Sequence, residues 1–172
     1  YTINWRFLKN STIFASSNIN RKRMKHYLER LQESMVAKWN TEALSDYRGE
    51  TFTFANFATE IARLHTIYRV VGVGAGDKVS LAAKNSSRWA MAFLATATYR
   101  AVAVPILADF TPEAIAGLVD HSDSVVLFTE PKCWEEMNIK AMPQLRIVIN
   151  LEDCTASTKS FNSASSKSRF PI

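Results

Sequence analysis

Four short apolar runs recur through the second half of this chain: Val79–Ala82, Val102–Ile106, Val125–Phe128 and Ile147–Asn150. Each is separated from the next by a stretch with helical spacing. Nearly continuous apolar runs suit strands buried on both faces of a parallel sheet. Parallel neighbours cannot be joined by a tight turn, so they need crossover helices. The pattern therefore predicts strands at 78–83, 102–106, 124–129 and 146–151. It predicts helices at 87–99, from Thr111 onward, and at 131–142. The fold class is α/β, a layered parallel sheet flanked by helices with right-handed crossovers.

The first half supplies the cover. Met24, Leu28, Leu31, Met35 and Trp39 recur at spacings of three and four, the stripe of an amphipathic helix. Residues 43–54 read as a β-hairpin with Arg48-Gly49 at its turn, where the glycine is expected to take the positive φ. Thr53 is placed to cap the following helix, but Asn56 rather than Glu stands three residues on, so a reciprocal capping box is not expected. Phe57, Ile61, Leu64, Tyr68 and Val71 share one face of that helix, and Gly72 is placed to end it.

Charge is distributed unevenly. Residues 1–40 hold eight Lys/Arg and two Glu, residues 154–172 hold three Lys/Arg and no acid, and the body between them holds ten basic and fourteen acidic residues. The formal charge of +5 thus comes from the ends. The basic cluster Arg21-Lys22-Arg23-Met24-Lys25 is short, and nucleic acid is not an expected partner. No apolar run reaches the roughly 20 residues that span a bilayer. Phe7–Ala15 is interrupted by Lys9, Asn10 and Ser11, so no signal peptide is read there. Expected organisation is an arm over 1–23, one domain over 24–153 and a Ser/Thr/Asn-rich disordered tail over 154–172. Met24, the first methionine, is the expected natural start.

Residue by residue, bland readings outweigh chemical ones. Gly72-Val73-Gly74-Ala75-Gly76 follows a helix and enters a strand, the reverse of a phosphate loop, and reads as a helix stop. Ser163-Ala164-Ser165-Ser166-Lys167-Ser168 lacks the glycine a phosphate cradle needs. His26, His65 and His121 are widely separated, with His121 near the negative end of a helix. Cys133 and Cys154 have no metal-ligand spacing and read as free thiols. Ser86 and Ser87 beside Lys84 could be imagined as a nucleophile pair, but Asn85, Ser86 or Ser87 reads as the cap of the helix that follows. Asp109 and Glu113 could flank a cleft beyond a strand end, and equally a solvated loop acid and a first-turn helix acid.

Several segments taken in order carry a resemblance. Phe52-Thr53-Phe54-Ala55-Asn56-Phe57 is similar to the Leu-Thr-Tyr-x-Glu-Leu segment of AMP-forming acyl-CoA synthetases, the adenylate-forming AMP-binding superfamily. Thr98-Tyr99-Arg100-Ala101-Val102-Ala103-Val104-Pro105-Ile106 resembles that family's Gly-Ala segment before a Val-Pro strand, with Arg100 where the family prefers glycine. Asn85-Ser86-Ser87-Arg88-Trp89 and Asp120-His121-Ser122-Asp123-Ser124 resemble the long-chain fatty acid–CoA ligases. The likeness spans about Met24 to Asp153, an N-terminal fragment of such an enzyme.

For a full-length enzyme the resemblance implies a reaction in which a fatty carboxylate attacks the α-phosphate of ATP, and coenzyme A then displaces AMP. ATP, Mg²⁺ and coenzyme A are implied for that enzyme. No cofactor, catalytic residue or metal ligand is carried over to any position here, because the family's ATP loop, adenylate motif, ribose-binding Asp and catalytic Lys have no counterpart in these residues. The expectation is a ligase scaffold inactive alone. The alternative is a non-catalytic interaction or dimerisation module. The resemblance also implies a cytoplasmic location, with the full enzyme at the membrane periphery.

Overall fold

The computed structural model describes residues 26–156. The arm over 1–23, the start at Met24 and the Ser163–Lys167 run lie outside them. The order is α1 (Tyr27–Ala37), β1 (Glu42–Ser45), β2 (Thr51–Thr53), α2 (Phe54–Val70), β3 (Lys78–Ala82), α3 (Ser87–Thr98), β4 (Val102–Ile106), α4 (Pro112–His121), β5 (Ser124–Thr129), α5 (Pro131–Glu136), a 3₁₀ turn (Ile139–Ala141) and β6 (Ile147–Asn150).

The main sheet runs β4-β3-β5-β6 and every pairing is parallel. Its two faces are coated differently. Val79, Leu81, Val126, Phe128 and Ile149 pack with Leu64 and Tyr68 of α2 and Met91, Ala92 and Ala95 of α3. Ala82, Leu127 and Val148 point the other way, against Ile115, Ala116 and Val119 of α4 and Trp134 of α5. The alternation follows from the two-residue period of a strand. The path from β3 to β4 uses one face. The path from β4 back across β3 to β5 runs in the opposite direction over the opposite face. Opposite direction and opposite face give one hand, as the crossover rule requires.

One strand differs from expectation. β3 and β5 are buried on both faces, but β4 is an edge strand with Val102 and Pro105 exposed. Its Val-Ala-Val-Pro-Ile run reads like a central strand. Pro105, which has no N–H to donate, suits an edge, where it also discourages pairing with a further strand.

Three helices end on a residue in the left-handed region. α2 ends in a Schellman motif: Gly72, at φ 72°, donates to Arg69 O, and Val73 donates to Tyr68 O. α3 ends the same way, with Arg100 donating to Ala97 O and Ala101 to Thr96 O, but the left-handed residue is Arg100 at φ 67°. α4 ends at Asp123, φ 53°, whose N–H reaches Asp120 O. A Cβ in this region costs about 1–2 kcal/mol, partly offset by the greater freedom glycine has when unfolded. Arg100→Gly should therefore raise stability by about 0.5–1 kcal/mol. Urea titration would show a higher midpoint at unchanged slope. An unmoved or lowered midpoint would mean the Arg100 side chain contributes more than its backbone costs.

Other local readings are corrected. In the β1–β2 hairpin the positive φ of 56° falls on Arg48, not Gly49. Gly49 instead serves as the small residue: a Cβ there would sit 3.0 Å from Asp46 Cβ. The capping box of α2 does close. Asn56 Oδ1 accepts from Thr53 N at 3.0 Å, while Asn56 N donates to Thr53 Oγ1 at 3.2 Å. The shorter Asn reaches because Thr53 Oγ1 also donates to it at 2.7 Å. The helix expected over 131–142 breaks at Met137, whose extended backbone separates α5 from the 3₁₀ turn.

Ordered packing also continues past Asp153. Cys154 is fully buried, Asn150 N donates to Thr155 O, and Ala156 bridges Ile149 in antiparallel fashion. Both cysteines are free thiols.

Candidate functional site

In an open α/β sheet the favoured ligand position is the crevice beyond the strand C-termini, where successive connections leave to opposite faces. Here that point lies between β3 and β5. The chain leaving β3 passes through Lys84, Asn85, Ser86 and Ser87 into α3 on one face. The chain leaving β5 passes Glu130 into α5 on the other.

The crevice is occupied by the chain's own groups. Asp46, reaching across from the hairpin, accepts from Ser87 N at 2.7 Å. Ser86 Oγ caps the same helix by accepting from Trp89 N at 3.1 Å. Glu130 Oε1 lies 3.5 Å from Lys84 N, which donates to it. Thr129 Oγ1 donates to Ala82 O across the two strands at 3.0 Å. A carboxylate on the first amide of α3 is stabilised by the positive helix end, and the same charge repels a phosphate brought there. Sequence reasoning expected a cap from Asn85, Ser86 or Ser87, of which Ser86 is the one that serves, but missed Asp46. Its signal was weak, an acid one residue ahead of a turn tip.

Asp46 is also part of a lock. Arg88 of α3 pairs with Glu50 at 2.9 Å and lies over the Phe52 ring, 5.2 Å from its centroid. The hairpin is thereby held to α3 on both sides of its turn. Next to it, Arg63 of α2 grips Glu60 and donates to Cys154 O at 2.7 Å. Burial, reinforced by Glu60, pushes the Cys154 thiol up to about 11, so it stays protonated and inert at neutral pH.

The remaining candidates fall into structural roles. His26 is the N-cap of α1, its Nδ1 accepting from Leu28 N and Glu29 accepting from its N–H. His121 ends α4, exposed, as expected. Asp109 and Glu113 are exposed, in the turn after β4 and the first turn of α4. The glycine loop sits at the other end of the sheet, where it ends α2. Arg146 donates to Gly72 O and to Asp77, and Asp77 in turn accepts from Gly74 N.

His65 joins α2 to α3. Its Nε2 lies 2.9 Å from Ala95 O and 3.0 Å from Thr98 Oγ1. A carbonyl can only accept, so the proton is on Nε2. Burial is the main cause that holds its pKa below the ordinary 6.5, with Arg69 adding repulsion. The folded state therefore disfavours the second proton. Its stability should be full above pH 6.5 and fall as pH drops from there toward the lower folded value. Urea midpoints across this range should show a decline in the native protein that His65→Gln removes. An equal decline in both would refute the assignment.

ATP does not fit these residues. The glycine loop abuts the negative end of α2 instead of opening a helix, and the one long helix that starts at the crevice already carries a carboxylate. No cluster of His, Cys, Asp or Glu able to hold a metal ion occurs among the described residues. No helix among them is long and apolar enough to cross a membrane.

Comparison with known proteins agrees with this architecture. The family model for the AMP-binding enzyme matches residues 31–170. Acetyl-coenzyme A synthetase of Sodalis glossinidius is 28% identical over 126 residues, which is 73% of this chain and 18% of the relative. The coronafacic acid ligase of Pectobacterium brasiliense superposes with a TM-score of 0.68 at 18% identity, over 74% of this chain and 26% of that one. The anthranilate CoA ligase AuaEII, in complex with anthranoyl-AMP, does so with a TM-score of 0.67 at 19% identity, over 75% and 25%. This chain thus spans under a fifth of the length of the curated relative. With the parallel sheet, its crossovers and a family match over most of its residues, the chain belongs to the AMP-binding enzyme family.

Proposed function

We propose that this α/β body is the N-terminal scaffold of an AMP-forming acid–CoA ligase, and that these 172 residues alone activate no acid. One observation carries the second half of the proposal. The crevice that would receive an anion is filled by Asp46 and Glu130. Activating a carboxylate on ATP needs cationic groups and free N–H donors around the phosphates, and the body offers none of that arrangement.

The acid in the whole ligase is a long-chain fatty acid on this reading. The support is the likeness of Asn85-Ser86-Ser87-Arg88-Trp89 and of residues 120–124 to long-chain ligases. The curated relative named above is an acetyl-coenzyme A synthetase, so acetate is the competing substrate.

ATP–pyrophosphate exchange over a series of acids from acetate to palmitate tests both parts. The 172-residue chain should give background exchange with every acid, and measurable exchange would end the inert-scaffold reading. The same series on the protein isolated at its native length should favour the long acids. Preference for acetate would reassign the substrate and leave the family intact.

A further inference from the structure

Between Arg100 and Lys132 the chain has no Lys or Arg, while it carries Asp109, Glu113, Asp120, Asp123 and Glu130. Four of these five acids are exposed. Among the described residues, Asp109, Glu113 and Asp120 take part in none of the salt bridges, which join Glu60, Glu50 and Asp77 to arginines. The same stretch holds half of the eight exposed large apolar side chains: Val102 at 48%, Leu107 at 68%, Phe110 at 43% and Leu118 at 39%. Phe110 N donates to Leu107 O, which folds those two residues into one turn directly ahead of α4, and Leu118 lies further along that helix. β4, the unpaired sheet edge, completes the face. Exposed apolar side chains on the same stretch as exposed acids outside any salt bridge suit a partner that is both basic and aromatic. Pairing by a further strand is discouraged by Pro105.

The chain itself supplies such a partner. Residues 1–25 hold Arg6, Lys9, Arg21, Lys22, Arg23 and Lys25 with no acid, together with Tyr1, Trp5, Phe7 and Phe14. We propose that the acidic, apolar face formed by β4, the Leu107–Phe110 turn and α4 is a docking site whose occupant is this chain's own residues 1–25. Length permits it. A segment of 25 residues can extend roughly 80 Å, well beyond the diameter of about 30 Å expected for a body this size. Six cations meet the exposed carboxylates of Asp109, Glu113 and Asp120, and the apolar side chains on both sides leave water together. The inference stands against the expectation that Met24 opens the natural protein, since a chain begun there keeps only Lys25 of the six cations.

Site-specific photocrosslinking in the full chain tests it. A photoreactive benzoylphenylalanine replacing Phe7 should, on irradiation, join to a peptide within 102–121, without forming a dimer. The yield should fall about fivefold when salt rises from 0.05 M to 0.5 M, where the screening length shrinks to about 4 Å. It should fall similarly in the combined variant Asp109→Asn, Glu113→Gln, Asp120→Asn. All three positions are exposed, and circular dichroism would verify that the variant is folded. Attachment elsewhere, a yield insensitive to both changes, or a crosslink to a second chain would overturn the proposal. So would a native protein whose mass begins at Met24.

Discussion

Phe128→Ala should cost about 3–5 kcal/mol, the range for removing a fully buried aromatic ring. Phe128 lies in β5, one of the two central strands. Its ring is wholly buried and meets Tyr68 of α2 edge-on, with centroids 6.4 Å apart. Tyr68 in turn meets Tyr99 edge-on at 5.3 Å and donates its hydroxyl to Thr96, because Thr96 spends its own proton on Ala92 O. One truncation therefore opens a cavity between the sheet and both helices of that face. Domains commonly have only about 5–15 kcal/mol in total, so the variant should lose a large part of its urea resistance. A midpoint close to the native one would show that α2 and α3 can close over the gap.

The second large effect concerns hydroxyls where apolar groups would be expected. Ser80 Oγ donates to Ser124 Oγ at 2.7 Å, and both side chains are buried. Ser122 Oγ donates to Val119 O at 3.0 Å, so at 2.7 Å from Ser124 Oγ it must accept. Each proton in this short chain has one destination. Ser124→Ala strands the Ser80 donor in the core and should cost about 1–3 kcal/mol. Adding Ser80→Ala removes the stranded group and should recover most of that loss. A double variant no better than the single one would show that packing, not hydrogen bonding, sets the cost.

Legibility differed by element, for physical reasons. β5 and β6 were readable because burial on both faces demands unbroken apolar residues. β4 was mistaken for a central strand because edge and centre can share that composition, and only Pro105 distinguished them. Left-handed backbone was readable at Gly72 and, through the departure from family pattern, at Arg100. At Arg48 it was not, because the tight approach of Gly49 to Asp46 moved the positive φ one residue earlier than the glycine suggested. The crevice was legible only in outline. Ser86 carries a local signal as a cap, whereas Asp46 acts across a gap of 41 residues that no periodicity reports.

β3 lies between β4, which follows it closely in sequence, and β5, which is made only after the chain has passed through α3, β4 and α4. A polypeptide leaving the ribosome therefore holds one flank of β3 bare until Thr129 has emerged from the exit tunnel. Non-local closure of this kind is slow, and unpaired strand flanks invite aggregation. Translation speed across residues 83–129 would thus influence the yield of native protein more than the same change made elsewhere in the message.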